Sequence, residues 1–287
     1  MKRTLILPDS RTLELGLRPV IMGIVNVTPD SFFGESRRPD PVEAAERALA
    51  LEEEGALILD FGAESTRPGS APVDPEEEAR RLIPAIRAFR SRSGAAISVD
   101  TRRASVARLA LDEGADIIND IAALSDPGMA RAAAAYRAAV VLMHMKGNPA
   151  TMQESPAYKD CTAEVRDFLA AAVRIALEAG VSQHSIVLDP GIGFGKLLAH
   201  NLELMKRLPL LAEAGYPLLV GLSRKRFVGE ITGKPIEGRL PGSLGAACAA
   251  WQAGADIFRV HDVAATMDAL SMFEACRADG ARSQDEP

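Results

Sequence analysis

The sequence predicts a single (β/α)8 barrel, and three observations carry the prediction. Short β-branched apolar runs alternate with amphipathic stretches of Ala, Leu, Arg and Glu; eight such pairs fit in about 260 residues. Every apolar run ends at or beside a polar or charged side chain. No linker rich in Gly, Ser or Pro divides the series, so one domain accounts for residues 18–277.

Taken in order, Thr4-Leu5-Ile6-Leu7 and Thr12-Leu13-Glu14-Leu15-Gly16 flank the turn Pro8-Asp9-Ser10-Arg11 and predict a hairpin over residues 1–17, a plug or a lid. Strands follow at 20–26, 57–61, 95–99, 115–119, 139–143, 185–189, 217–222 and 255–260. Helices lie between and after them, at 41–55, 74–92, 102–113, 127–137, 159–179, 201–214, 241–254 and 262–277. Several stop at a glycine, Gly55, Gly114, Gly180, Gly215 or Gly254, the residue that tolerates the left-handed turn closing a helix. Residues 278–287, rich in small and charged side chains, predict a flexible tail.

Composition narrows the function. With 33 basic and 39 acidic residues among 287, the net charge of −6 leaves no cationic surplus for a nucleic-acid backbone. No uninterrupted apolar stretch is long enough to span a bilayer, and the run behind Met1-Lys2-Arg3 stops at Pro8-Asp9, so a cytoplasmic protein is expected. Cys161, Cys248 and Cys276 form no CxxC pair and read as reduced packing thiols. His144, His184, His200 and His261 lack the spacing of a helical zinc site.

In a barrel of this kind the carboxyl ends of the strands converge on one face, where the loops above them build the site. Those positions read Asn26, Asp60, Asp100, Asn119, His144, Asp189, Ser223 with Lys225, and Arg259 with His261. Any one of the Asp or Asn residues, taken alone, reads more readily as a helix cap or turn former; a polar group at all eight ends is not explained that way. Asp100, Asn119 and Asp189 offer acceptors that suit a flat heterocycle rich in N–H groups. Lys225, Arg259 and His261, with Arg224 and Arg67 near in sequence, suit a phosphate or diphosphate. His144 reads as a supporting group at a strand end.

Gly191-Ile192-Gly193-Phe194-Gly195-Lys196 lacks the spacing and the Ser/Thr of a phosphate-binding loop, so its glycines are expected to let backbone approach a planar ligand with Phe194 as a wall. Connections at 27–40, 62–73, 144–158 and 223–240 exceed the usual two to six residues and have the composition of lids.

Eight motifs in order then resemble one family: Asn26-Val27-Thr28-Pro29-Asp30-Ser31-Phe32, Glu64-Ser65-Thr66-Arg67-Pro68-Gly69, Ser98-Val99-Asp100-Thr101, Ile118-Asn119-Asp120, Met143-His144-Met145-Lys146-Gly147-Asn148-Pro149, Asp189-Pro190-Gly191-Ile192-Gly193-Phe194-Gly195-Lys196, Ser223-Arg224-Lys225 and Arg259-Val260-His261-Asp262. Together, over about residues 20–275, they are similar to the dihydropteroate synthase family, the pterin-binding barrels of folate synthesis. The resemblance implies condensation of 6-hydroxymethyl-7,8-dihydropterin diphosphate with p-aminobenzoate, releasing diphosphate, with Mg²⁺ and in a homodimer. It implies a pterin pocket of Asp100, Asn119, Asp189 and Lys225, with Met143, Phe194 and Arg259 against the ring. Diphosphate would lie on Asn26, Thr66, Arg259 and His261, Asn26 also meeting Mg²⁺. p-Aminobenzoate would sit among Phe32, Arg67, Pro68, Phe194 and Ser223. Asp100, Lys225, Arg259 and His261 would carry the catalysis, the same site that makes the family a sulfonamide target.

Three places depart from the family pattern. Phe33-Gly34-Glu35-Ser36 follows Phe32 in place of a Ser-Asp-Gly-Gly stretch, Phe61-Gly62-Ala63 stands for Ile-Gly-Gly, and Arg226 stands where Ser is frequent. Two rival readings share the ring-binding Asp and Asn, a methyltetrahydrofolate-type pterin methyltransferase and a non-catalytic pterin-binding paralogue. Neither needs the intact anion-binding set of Asn26, Thr66, Arg67, Lys225, Arg259 and His261.

Overall fold

The computed structural model describes residues 2–28, 40–64, 73–149 and 151–277. Two antiparallel strands, β1 (Arg3–Ile6) and β2 (Thr12–Leu15), form the expected hairpin. The eight barrel strands are β3 (Val20–Asn26), β4 (Ile58–Gly62), β5 (Ala96–Asp100), β6 (Ile117–Asp120), β7 (Ala139–Met143), β8 (Ile186–Asp189), β9 (Leu219–Gly221) and β10 (Ile257–Val260). All pair in parallel in the order β8-β7-β6-β5-β4-β3-β10-β9. A bridge from Leu188 to Leu218 joins the two ends and closes the barrel.

Helices pack outside: α1 (Pro41–Glu53), α2 (Pro75–Arg90), α3 (Ala104–Asp112), α4 (Met129–Tyr136), α5 (Cys161–Glu178), α6 (Leu198–Lys206), α7 (Leu208–Ala212), α8 (Arg226–Thr232), α9 (Leu240–Gln252) and α10 (Val263–Arg277). Asp40, Asp74 and Asp160 start α1, α2 and α5 by accepting the N–H of Val42 at 2.8 Å, Glu76 at 2.9 Å and Ala163 at 2.9 Å. The expected helix at 201–214 begins earlier, at Leu198, and breaks at Arg207 into α6 and α7. Pro209 explains the break, having no N–H for the carbonyl one turn back. The expected loop at 223–240 contains α8, too short for its periodicity to stand out.

Alternation along each strand divides the apolar residues into two cores. Leu59, Phe61, Ile97, Val99, Ile118 and Val140 face the helices. Ile58, Ala96, Ile117, Ala139, Val187, Leu219 and Ile257 face inward at the amino ends of the strands, where they meet Leu5, Leu7 and Leu15 of the hairpin. The hairpin is therefore a plug in the floor of the barrel, remote from the strands' carboxyl ends. Arg3 clasps Asp256 at 2.8 and 2.7 Å, Arg11 meets Asp116, and the Ser185 hydroxyl donates to the Ile6 carbonyl at 2.9 Å.

The same alternation brings Asp60, Ser98, Asn119, Asp189 and Arg259 to the inner face two residues above that floor. Asp60 and Ser98 are fully buried, and Asp100, one inward position higher, is 8% exposed. Among the described residues no helix is long and apolar enough to cross a membrane.

Candidate active site

Arg259 anchors the acceptor half of the barrel mouth. Its Nε donates to Asp60 Oδ2 at 2.6 Å and a terminal nitrogen donates to Asp100 Oδ2 at 2.7 Å, tying β10 to β4 and β5 across the interior. Asn119 Nδ2 donates to the same Asp60 oxygen at 3.2 Å. These bonds use two of the five guanidinium N–H groups. Gly62 makes room for the arrangement, because a Cβ there would stand 3.4 Å from the Asp100 Cβ.

Burial sets the electrostatics. It pushes the Asp100 carboxyl up to about 7 against the pull of Arg259. Asp189 is likewise pushed up by burial, with Lys225 and the Gly191 N–H opposing. Burial brings Lys225 down to about 8, with Asp189 resisting. For Arg259 burial acts against the charge, but Asp60 and Asp100 outweigh it and hold the guanidinium above its ordinary value.

Asp189 ends β8 opposite Met143 of β7, and its Oδ1 accepts the Gly191 N–H at 2.7 Å. The Met143 side chain is buried beside it. Lys225, at the start of α8, reaches back to donate to the Ile192 carbonyl, with its ammonium 4.5 Å from the centre of the Phe194 ring. Gly193 and Gly221 clear the path: a Cβ at Gly193 would lie 3.1 Å from Lys225 Cδ, and one at Gly221 3.5 Å from Lys225 Nζ. Beside this, His261 Nδ1 lies 3.1 Å from Ser223 Oγ. Arg224 does not join the cationic half as expected, because Asp262 holds its guanidinium at 2.9 and 2.6 Å. Asn26 ends β3 on the exposed rim, opposite Gly62.

Asp100, Asn119, Asp189, Met143, Phe194, Ser223, Lys225, Arg259, His261 and Asn26 thus all lie at the carboxyl end of the barrel. Phe32, Thr66, Arg67 and Pro68 lie outside the described residues.

The sequence profile described as "Pterin binding enzyme" matches residues 22–261. Dihydropteroate synthase of Escherichia coli is 46% identical over 257 residues, covering 90% of this chain and 91% of that protein. The enzyme of the same name from Neisseria meningitidis serogroup C is 48% identical over 268 residues, covering 91% and 94%. The chain belongs to the dihydropteroate synthase family. Among solved structures, Xanthomonas albilineans dihydropteroate synthase with 4-aminobenzoic acid superposes at a TM-score of 0.89 with 46% identity, over 96% of this chain and all (100%) of that one. The Yersinia pestis synthase in a sulfonamide drug complex matches at 0.89 with 41% identity, over 97% and 100%.

Within this family frame, two of the departures have visible consequences. Phe61 turns outward and is buried against Phe89, ring centres 5.7 Å apart, so it fills the helix-facing core. Arg226 is exposed and pairs with Glu230 one turn along α8, at 2.7 Å. The third departure, after Phe32, lies outside the described residues.

Sequence reasoning placed Asp60 at a strand end but gave it no task, although it is the second carboxylate on Arg259. Strand period could have shown that Asp60 faces inward, two residues after Ile58, though not which residue it meets. Two glycines of 191–195 also have a packing task that the sequence reading did not name. At Gly191 a Cβ would stand 1.9 Å from the His144 carbonyl, and at Gly195 2.3 Å from that of Lys146, so the close approach is to the neighbouring loop. His144 is buried in the supporting position expected, edge-on to Phe168 at 4.9 Å. The three cysteines are free thiols.

Proposed function

We propose that the chain is a working dihydropteroate synthase, joining 6-hydroxymethyl-7,8-dihydropterin diphosphate to p-aminobenzoate and releasing diphosphate. The observation that carries the reading is Arg259 held between Asp60 and Asp100, at 2.6 and 2.7 Å, with Lys225 and His261 on the same rim. Buried carboxylates and cations interleave in one mouth, so a ligand with an N–H-rich ring and an anionic tail finds partners for both.

On this reading Asp189, Asn119 and Asp100 bind the pterin edge, Lys225 and Arg259 border the ring, Met143 packs on it and Phe194 walls it. Arg259 and His261, with Asn26 and Thr66, hold the diphosphate. The C–O bond to diphosphate breaks first in an SN1-like step, the electron pair leaving with diphosphate. Buried carboxylates at Asp100 and Asp189 stabilise the cationic pterin methylene. The unprotonated amine of p-aminobenzoate, lodged among Phe32, Arg67, Pro68, Phe194 and Ser223, then forms the C–N bond and sheds its proton to water. An arylamine needs no strong general base near neutral pH, which fits a mouth in which His261 contacts the Ser223 hydroxyl.

Among the described residues no three His, Cys, Asp or Glu side chains cluster as a metal cage. Asn26 offers an amide oxygen at the rim, and that suits Mg²⁺ arriving on the diphosphate with its waters. Bound there, the ion would spread the leaving group's charge.

A homodimer and a cytoplasmic location belong to the same reading. Light scattering tests the first. The activity is tested by initial rates with the dihydropterin diphosphate, radiolabelled p-aminobenzoate and Mg²⁺. Turnover that collapses in Asp189→Asn supports the reading, whereas folded wild-type protein that binds the pterin without turnover refutes it in favour of a binding paralogue.

A further inference from the structure

Lys196 follows the last glycine of the loop at 191–195, yet its side chain turns inward and is 3% exposed. Its Nζ lies 2.9 Å from the Gly191 carbonyl, 3.0 Å from that of Phe194, 3.3 Å from that of His144 and 2.9 Å from His144 Nδ1. One ammonium therefore gathers both ends of the loop and the end of β7. An ammonium has three protons, so the two loop carbonyls and the imidazole nitrogen saturate it.

The loop so gathered carries two groups of the mouth. The Gly191 N–H bonds Asp189 Oδ1 at 2.7 Å, and the Ile192 carbonyl accepts from Lys225. Outer ties are set by side chains from three other places: Asn201 Oδ1 accepts the Gly193 N–H at 2.7 Å, Gln153 donates to the Gly193 carbonyl at 2.7 Å and Tyr158 to that of Gly195 at 2.8 Å. Only Lys196 spans the loop from inside among these.

We infer that Lys196, braced by His144, is a positioning residue of the pterin pocket, acting through the 191–195 backbone on Asp189 and Lys225. The inference rests on the pterin-binding reading of the mouth. Its chemistry lets the clamp keep its bonds in either protonation state of Lys196. Burial lowers Lys196 to about 7, with Cys161 and Asp189 opposing and Lys225 adding to it, and burial together with Lys196 lowers His144 to about 3. His144 is therefore neutral. While Lys196 is charged, it donates to the bare Nδ1; once it loses its proton, the imidazole tautomer with Nδ1–H donates to the amine lone pair. Both loop carbonyls keep their donors in either state.

The test compares wild type with Lys196→Met, which keeps the length and removes the donors, and with His144→Asn and His144→Phe. Asn keeps a polar atom in the place of Nδ1, and Phe keeps the ring without it. We expect KM for the dihydropterin diphosphate to rise about tenfold or more in Lys196→Met with kcat within about threefold. His144→Phe should show the same split, and His144→Asn should stay within about threefold of wild type. Hydrogen exchange at the amides of 191–195 should quicken in Lys196→Met and His144→Phe alone. Unchanged KM and unchanged exchange in folded Lys196→Met overturn the inference, as does a His144→Asn variant no better than His144→Phe. Should Lys196→Met fail to fold, the two His144 variants decide. A wild type without turnover refutes the proposed activity instead, and the exchange measurement then still reads the clamp.

Discussion

Replacing Arg259 by Met should expose how the mouth balances its buried charge. Asp60 is fully buried and Asp100 8% exposed, and both bond this one guanidinium. Removing one partner of a buried pair costs about 3–5 kcal/mol, and with the Arg259 side chain 22% exposed we expect about 2–4. The cost should depend on pH. Asp100 stands at about 7 with the guanidinium in place, and without its attraction the carboxyl must rise further. A carboxyl whose folded value exceeds its unfolded one takes up protons on folding, so stability falls as pH rises between the two values. That window ends near 7 in wild type and extends beyond 7 in the variant. The gap between the two proteins should therefore be small at about pH 5 and widest at about pH 8. Urea midpoints at both pH values measure it. Adding Asp60→Asn should recover about 1–3 kcal/mol relative to the sum of the single changes, because one stranded charge is gone. A gap that does not change with pH, together with additive effects in the double variant, would refute this balance of charge around Arg259.

Three further outcomes follow from the geometry. In kcat/KM for the pterin substrate, which reports the free enzyme, activity should rise through about 7 as Asp100 ionises and fall through about 8 as Lys225 loses its proton; Asp100→Asn should remove the acid limb. Gly191→Ala should lower stability by at least about 2 kcal/mol in calorimetry, since φ is +66° and the new Cβ would lie 1.9 Å from the His144 carbonyl. Leu15→Ala should cost about 2–5 kcal/mol in urea unfolding and leave both KM values unchanged, because the plug lies at the other end of the barrel from the site.

The barrel was legible because its signals repeat. Each strand is a short apolar run ending on a polar group, and all eight appear within two residues of where alternation put them. The breaks in the reading are local. Pro209 splits one helix in two, and α8, with Arg226 on its exposed face, has too few residues to show a period. In the site, Asp100, Asn119, Asp189 and Arg259 could be named from position alone. The partnership of Asp60 with Arg259 could not, because 199 residues separate them and only closure of the barrel brings β4 and β10 to face each other. Lys196 was hidden for another reason: sequence gives a lysine after glycines no hint that it turns inward onto carbonyls of its own loop.

The buried charges in the mouth also explain why the site announced itself. Stability alone favours apolar inner faces, as the floor of the barrel shows with Ile58, Ile117, Val187, Leu219 and Ile257. One strand period higher the same faces carry Asp60, Asn119, Asp189 and Arg259, whose burial each costs free energy unless paired. Arg259 serves two carboxylates at once, and among the described residues Asp60 Oδ1 and Ser98 Oγ have no hydrogen-bond partner. The described residues therefore leave this layer incompletely satisfied. On the proposed reading, a flat ligand with several N–H donors and an anionic arm adds donors for Asp100 and Asp189 and an anion for the guanidinium N–H groups not spent on Asp60 and Asp100. The polar layer is thus a cost that folding bears and binding offsets, which is why substitutions there should weaken ligand binding more than they weaken the fold, whereas substitutions in the floor should do the reverse.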